Sequence, residues 1–445
     1  MLQQQLGPVG MISLGCAKNR VDSEIMLAKL AEAGYRITPR ADQARIIIVN
    51  TCGFIQSAKE EAIDTILEMA QYKQDKCRYL IAAGCLTERY ADQLQQEMPE
   101  LDGILGVAQY DQIVPLIARI QAGERVVMVG DKTSLIDQPQ RVLTTPSYTA
   151  YLKIAEGCDN RCSYCAIPGI RGGYRSRPMD SLVAEARLLA EKGVKELVVI
   201  AQDITRYGQD LPGHPHLVDL LDALGEVEGI AWLRLMYAHP TRVDDRLIQW
   251  IGAHPKACPY LDLPLQHADD ALLQRMNRPY TQAWVREILA KLRATVPDIA
   301  IRTSLIVGFP GESEAAFENL MDFIGDARIE RAGVFAYSPE EDTPAIGFPD
   351  PVPEEVAEAR LERLMALQQG ISRAYNDSRV GQVVEVMIEG FDEETQRYQG
   401  RSRFEAPEVD GVILVEAEDA ALEPGQMIRV RLTAAFDYDM LGVMV

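Results

Sequence analysis

The chain is poor in positive charge, has no long apolar run, and carries no long internal repeat or low-complexity tract. Each absence removes a class of function. Of 445 residues, 45 are Lys or Arg against 66 Asp or Glu, a formal net charge of −21. Long-range attraction to nucleic acid is therefore not expected, because polyanions are drawn to basic surfaces. RNA binding is not favoured by charge, although a local basic groove stays open, and a basic protein partner would be attracted instead. No stretch approaches the roughly 20 apolar residues needed to span a bilayer, so no membrane association is expected. The opening MLQQQLGPVGMISLG lacks the basic and apolar regions of a secretory signal, which makes the cytoplasm the expected location. With 47% hydrophobic and 25% charged residues, the chain reads as soluble and globular. It is too long for one ordinary core, so two to four domains are expected.

Against these absences stand eight cysteines, which in a large chain of this kind point to metal or redox chemistry rather than disulfides. Six form two sets of three. Cys158, Cys162 and Cys165 share one run, GCDNRCSYC, spaced C-x3-C-x2-C. Cys16, Cys52 and Cys85 lie far apart, each after an apolar run: VGMISLG, ARIIIVN and RYLIAAG. Three thiolates can hold a four-iron cluster and leave its fourth iron without a protein ligand. Zinc is the alternative for the compact run, but structural zinc wants four closed ligands, often as two C-x2-C pairs. No second pair follows, and the nearest later histidines are His214 and His216 in the PGHPH loop. Cys77 and Cys258 match neither set and read as small apolar residues.

The pattern divides the chain into an α/β multidomain protein. Residues 1–120 alternate strand and helix signals, with helices expected in VDSEIMLAKLAEAG and SAKEEAIDTILEMAQY. This rhythm predicts an open parallel sheet, in which ligands gather beyond the carboxyl ends of strands near a topological switch point. Residues 121–147 read as a linker region whose end, RVLTTPSYTA, clusters Thr, Pro and Ser. Residues 148–375 hold six further strand candidates: YLKIAEG, ELVVIAQD, WLRLMYAHP, YLDLPLQH, AIRTSLIVGF and RAGVFAYSP. They predict a partial parallel (βα)6 barrel, with GCDNRCSYC after its first strand, where barrel enzymes place their chemistry. Residues 354–378 read as a long exposed helix. Residues 376–445 predict a small antiparallel β-barrel of about five strands.

A C-x3-C-x2-C loop after the first strand of such a barrel resembles the radical S-adenosylmethionine superfamily. The resemblance implies a 4Fe–4S cluster on Cys158, Cys162 and Cys165 whose free iron binds S-adenosylmethionine. It also implies cofactor contacts from Tyr164, next to the last cysteine, and from Gly308 in the strand-end loop IVGFPGE (Ile306–Glu312). A plain turn would account for that loop equally well. With SLGCAKNRVDSE, NTCGF and AGCLTERY added, nearly the whole chain resembles the methylthiotransferase family of that superfamily. That implies a second 4Fe–4S cluster on Cys16, Cys52 and Cys85, a flavodoxin-like first domain and a terminal TRAM domain. The implied reaction is insertion of a methylthio group at an unactivated carbon. One S-adenosylmethionine serves as methyl donor and another as the source of a carbon-centred radical. An electron donor such as flavodoxin or ferredoxin is the implied partner.

Members of that family act on transfer-RNA adenosines or on an aspartate of ribosomal protein S-12. Residues 376–445 hold six Arg, no Lys and 15 acidic residues, 6 − 15 = −9. An RNA-docking barrel should carry the opposite sign, whereas a basic ribosomal protein suits an acidic face. GRSRFEAPEVDG, LDLPLQHA and CAIPGIRGGYRSRP also look like the ribosomal-protein branch. The expected reaction is thus methylthiolation of the β-carbon of an aspartate in S-12. The rivals are a transfer-RNA methylthiotransferase and a non-radical iron–sulfur carrier or sensor. Arg171, Arg175 and Arg177 read as possible binders of a phosphate or carboxylate. Gln202, Asp203, Arg234 and His267 fall at predicted strand ends, as often structural as functional, and no catalytic acid or base is assigned.

Overall fold

The computed structural model describes residues 7–417 and 420–445. It begins with five parallel strands: β1 (Val9–Ser13), β2 (Ile46–Thr51), β3 (Tyr79–Gly84), β4 (Gly103–Leu105) and β5 (Val126–Met128). Each alternates with a helix: α1 (Ala17–Glu32), α2 (Gln56–Gln71), α3 (Cys85–Glu97) and α4 (Ile113–Gln121). Strand alternation sets the layers, because successive side chains point to opposite faces. Ile46 and Ile48 pack with α1 and α4, while Ile47 and Val49 pack with α2 and α3. The strands pair in the order β1-β2-β3-β4-β5, and Ile37, after α1, bridges Val9 in parallel on the other edge of β1, so the connections reverse between β1 and β2, the expected switch point. Cys16, Cys52 and Cys85 meet because β1, β2 and β3 are immediate neighbours. β4 and β5 are too short to show a period, and β5 lies inside the stretch expected to be linker.

All six expected barrel strands form: β6 (Thr149–Lys153), then, after the short pair β7 (Ala155–Glu156) and β8 (Arg175–Ser176), β9 (Glu196–Ile200), β10 (Trp232–Leu235), β11 (Ala257–Asp262), β12 (Ala300–Val307) and β13 (Arg331–Ala336). They pair in the order β13-β12-β11-β10-β9-β6, an incomplete barrel. Helices α5 (Ile167–Arg171), α6 (Met179–Glu191), α7 (Leu217–Gly225), α8 (Asp245–Ala253), α9 (Asp270–Arg275), α10 (Gln282–Thr295) and α11 (Glu314–Ala327) connect them. The apolar residues of these strands pack outward on the helices in one large core. Tyr151, Val198, Ile200, Trp232 and Tyr260 point inward instead, and there they meet Val21 and Ile25 of α1. Cys258 joins that inner cluster, and Cys77 lies in the core of the first sheet, as expected for small apolar residues.

The helix expected to be exposed is α12 (Glu354–Arg379), and it is not exposed along one stripe. Ala357, Arg360, Leu364, Gln368, Ser372, Asn376 and Arg379 are buried at helical spacing. Most are polar because the stripe binds polar groups: Arg331 donates to Ser372 Oγ (3.0 Å) and Asn376 Oδ1 (3.4 Å), and Gln368 donates to the Ile329 carbonyl (3.0 Å). A polar buried stripe leaves no hydrophobic pattern to read.

The terminal strands β14 (Val383–Asp392), β15 (Arg397–Arg401), β16 (Ile413–Glu416), β17 (Met427–Ala435) and β18 (Met440–Met444) close a barrel in which only the β16–β18 seam is parallel. This barrel is bolted to the larger one by Glu196, which is fully buried and pairs with Arg234 (2.7 Å) and Arg401 (2.8 Å). Burial raises the Glu196 carboxyl, but Arg401 and Arg234 outweigh it and hold the group at about 2, against a usual 4.5. The linked stability is complete above the unfolded carboxyl range and is lost as pH falls through about 2. Its size is on the order of 3 kcal/mol. Acid titration of Trp232 fluorescence is expected to show this loss, since Trp232 Nε1 donates to Glu385 of the small barrel (3.3 Å). In Glu196→Gln the component between these pH values should vanish, and an unchanged acid profile would contradict the assignment.

Candidate active site: two cysteine sets joined by one ion network

Cys16 ends the loop after β1 and caps α1, Cys52 directly follows β2, and Cys85 is the first residue of α3. The turn before Cys16 needs a residue without a side chain. Gly15 has φ +82°, and a Cβ there would stand 2.7 Å from Cys52 Cβ and 3.0 Å from its Sγ. Glycine thus lets the first cysteine loop close onto the second. Burial pushes the Cys85 thiol up to about 12; Arg171 opposes the rise, and Cys16 and Cys52 lie near enough to add to it. Arg171 Nη2 stands 3.6 Å from Cys85 Sγ.

The second set sits on the loop after β6 and β7. Asp203, at the end of β9, accepts from Asn160 in the middle of that loop (2.9 Å) and from Arg242 (2.7 Å). Ser163 donates to the Arg275 carbonyl (2.7 Å) at the end of α9. Arg278, almost wholly buried, donates to Tyr280 Oη (2.8 Å) and to Cys162 Sγ (3.5 Å). Burial raises Cys158 to about 11 and Cys165 to about 12. Thiols so placed ionise only when a metal takes the proton's place.

Among the described residues, no group of three or more His, Cys, Asp or Glu converges closely enough to hold one metal ion. A cubane needs no such convergence on one ion, because its thiolates each bind a different iron. His214 bonds the Gln209 carbonyl and His216 caps α7 and meets Asp244 (2.9 Å), so neither serves the cysteines. The donor chemistry of both sets fits 4Fe–4S clusters.

A buried ion network locks the two sets together. Arg171 ends α5, six residues beyond Cys165, and pairs with Asp22 of α1 (2.9 Å) and Glu156 (3.0 Å). Lys153 joins both carboxylates and lies 3.2 Å from Tyr110 Oη. Asn19, one turn before Asp22, donates to the Leu14 (2.8 Å) and Thr51 (3.1 Å) carbonyls beside Cys16 and Cys52. Ala166, Ile170, Cys85 and Val107 complete the seam with apolar contact. Asn19, Asp22, Lys153, Glu156 and Arg278 were not singled out from sequence. The available signal was the polar first half of α1, which buries Lys18, Asn19, Asp22, Ser23 and Glu24.

Other expected roles change. Arg171 and Arg177 are buried in internal pairs, the latter with Glu185 (2.6 Å) and Asp137 (2.8 Å), and Arg175 donates to backbone carbonyls. Arg171 and Arg177 are thus committed to carboxylates of the chain itself, whereas Arg175 pairs with none among the described residues. Arg234 serves the barrel joint, and His267 is buried against Glu312 (3.1 Å). Gln202 reaches Glu156 (3.4 Å). Tyr164 and the Gly308 loop come together, with the Tyr164 and Phe309 rings edge-on at 6.5 Å. Gly308 is glycine for a reason of packing: φ is +75° and a Cβ would stand 2.4 Å from Ala357 Cβ of α12. The acidic excess of the small barrel is partly structural, since Glu408 pairs with Arg20 (2.5 Å), Glu405 with Arg379 (2.6 Å) and Asp410 with Tyr260 (2.7 Å). No helix among the described residues is long and apolar enough to cross a membrane.

Three family models match the chain: an uncharacterized protein family (UPF0004) over residues 9–106, the radical SAM superfamily over 152–324, and the TRAM domain over 380–445. The ribosomal protein uS12 methylthiotransferase RimO of Geobacter sulfurreducens is 48% identical over 441 residues, covering 98% of both chains. Its counterpart in Pelotomaculum thermopropionicum is 49% identical over 437 residues, again 98% of both. Among solved structures, the radical S-adenosylmethionine methyltransferase TsrM of Kitasatospora setae superposes with a TM-score of 0.56 at 12% identity, over 82% of this chain and 89% of that one. The cobalamin-dependent radical enzyme OxsB gives 0.53 at 12% identity, over 82% and 56%. At such identities these structures speak for the fold alone.

Proposed function

The chain belongs to the family of ribosomal protein uS12 methylthiotransferases, and from that premise we propose how its two cysteine sets divide the work. It is a radical S-adenosylmethionine methylthiotransferase, using S-adenosylmethionine and 4Fe–4S clusters. In this reading Cys158, Cys162 and Cys165 hold the cluster at which S-adenosylmethionine is cleaved, and Cys16, Cys52 and Cys85 hold the second. When bound, the clusters supply a single electron at one site and an open iron for the sulfur to be transferred at the other. The substrate is S-12, and the methylthio group goes to the β-carbon of an aspartate.

The chain's own residues keep two loops in register. Arg171, anchored by Asp22 and Glu156, joins the radical loop to Cys85. Asp203 and Ser163 pin the C-x3-C-x2-C loop from two sides, and Arg278 donates to the Cys162 sulfur. Tyr164 and Gly308 line the S-adenosylmethionine site, a reading supported by their adjacency. The first unit, expected to end at residue 120, is taken to reach Met128. A flavodoxin or ferredoxin is the expected reductant, and the cytoplasm the expected compartment. The observation that carries the reading is the 3.6 Å contact between Arg171 and Cys85, because it ties one cysteine set to the loop of the other.

Mass spectrometry of S-12 and of bulk transfer RNA from cells lacking this protein provides the test. S-12 is expected to lose the mass of one methylthio group, with transfer RNA unchanged. Loss from transfer RNA with S-12 intact would select the rival substrate.

A further inference from the structure

Among the cations buried near the first cysteine set, Lys18 is bonded differently. Lys153 and Arg171 each face two carboxylates. Lys18 is 7% exposed, yet among the described residues no carboxylate, carbonyl or hydroxyl accepts from its ammonium. Its Nζ instead lies 3.0 Å from the centre of the Tyr237 ring. Tyr237 stands just past the carboxyl end of β10, at the barrel mouth, with φ +66°. Its N–H is held by Asp262 (3.0 Å), whose other oxygen pairs with Arg302 (3.1 Å). Asp22 is taken by Lys153 and Arg171. The neighbouring carboxylates are therefore hydrogen-bonded elsewhere: the buried Asp262 feels the charge of Lys18, but no carboxylate among the described residues forms an ion pair with it.

Lys18 is also the second residue of α1, a 16-residue helix with no side-chain cap and no acidic residue in its first turn. The helix end adds positive potential at the same place. A buried cation without an anion is costly, and a ring face holds an ammonium without using its N–H donors in hydrogen bonds to oxygen.

We propose that Lys18, with the amino end of α1, binds the side-chain carboxylate of the substrate aspartate. This rests on the S-12 reading above. The carboxylate is one bond from the β-carbon, so holding it fixes the reacting carbon beside the first cysteine set. Selection of an acidic side chain follows, because an amide in that place leaves the lysine unpaired.

The test uses the iron-loaded full chain with S-12 and with S-12 carrying Asn at the modified position. Wild type is expected to bind the Asp form more tightly. Lys18→Met should lose about 10- to 100-fold in affinity and KM for the Asp form, bind both forms alike, and regain part of the preference as Lys18→Arg. Formation of 5′-deoxyadenosine without S-12 should match wild type. Wild type binding both forms equally, or Lys18→Met keeping the preference, overturns the proposal. So does loss of 5′-deoxyadenosine at normal iron content, which would assign the lysine to the carboxylate of S-adenosylmethionine. If wild type fails to modify S-12 at all, the substrate reading fails first and takes this proposal with it.

Discussion

Cys162→Ala is expected to reduce cleavage of S-adenosylmethionine to the uncatalysed background, and with it all methylthio insertion. Cys52→Ala is expected to keep cleavage and lose insertion. The reason is positional. Cys162 is in the middle of the compact set and takes the Arg278 N–H at 3.5 Å, so its removal deletes a ligand and leaves one buried guanidinium N–H without its sulfur acceptor. Cys52 lies on a different sheet, packed against Gly15, and touches none of the residues that pin the compact loop. Quantifying 5′-deoxyadenosine and modified S-12 in parallel separates the two. Equal loss of both products in both variants would defeat the division of labour.

The second large effect belongs to Arg171. Arg171→Met leaves Asp22 and Glu156 buried with Lys153 alone, and breaking a buried pair from one side costs about 3–5 kcal/mol. The Glu156 carboxyl is pushed up by burial, yet Arg171 and Lys153 together carry it far below its usual value; without Arg171 much of that support goes. Scanning calorimetry should show a lower unfolding temperature. The first cysteine set should lose iron before the second, because the arginine clamps Cys85 from outside its own sheet. Arg175→Gln is the control from the same short segment. Arg175 donates only to the Gly173 and Arg171 carbonyls and is partly exposed, so the change should be small. Comparable destabilisation by both would mean that the segment, not the ion network, is what matters.

Much of this site could be read from the chain because strand signals end in cysteines. Apolar runs before Cys16, Cys52 and Cys85 made three parallel strands legible, and adjacency of those strands did the rest. The compact run announced itself by spacing. The connection between the sets could not be read, since Asp22 and Arg171 are 149 residues apart and an ion pair leaves no periodic trace. The same physics misdirected the reading of Arg171 and Arg177, which look from sequence like ligands for an anion but answer to carboxylates of their own chain. α12 failed for the converse reason, its buried face being built of Arg, Gln, Ser and Asn. Charge counting in the small barrel likewise treated Glu405 and Asp410 as surface groups, whereas they are committed to internal partners.

Two separate iron sites are the premise of every step above, and iron content with Mössbauer spectroscopy tests that premise most directly. Anaerobically reconstituted protein should hold about eight irons per chain. The variant with Cys16, Cys52 and Cys85 all replaced by Ala should hold about four, and so should the variant lacking Cys158, Cys162 and Cys165. Wild type near four, or either triple variant empty of iron, would contradict it.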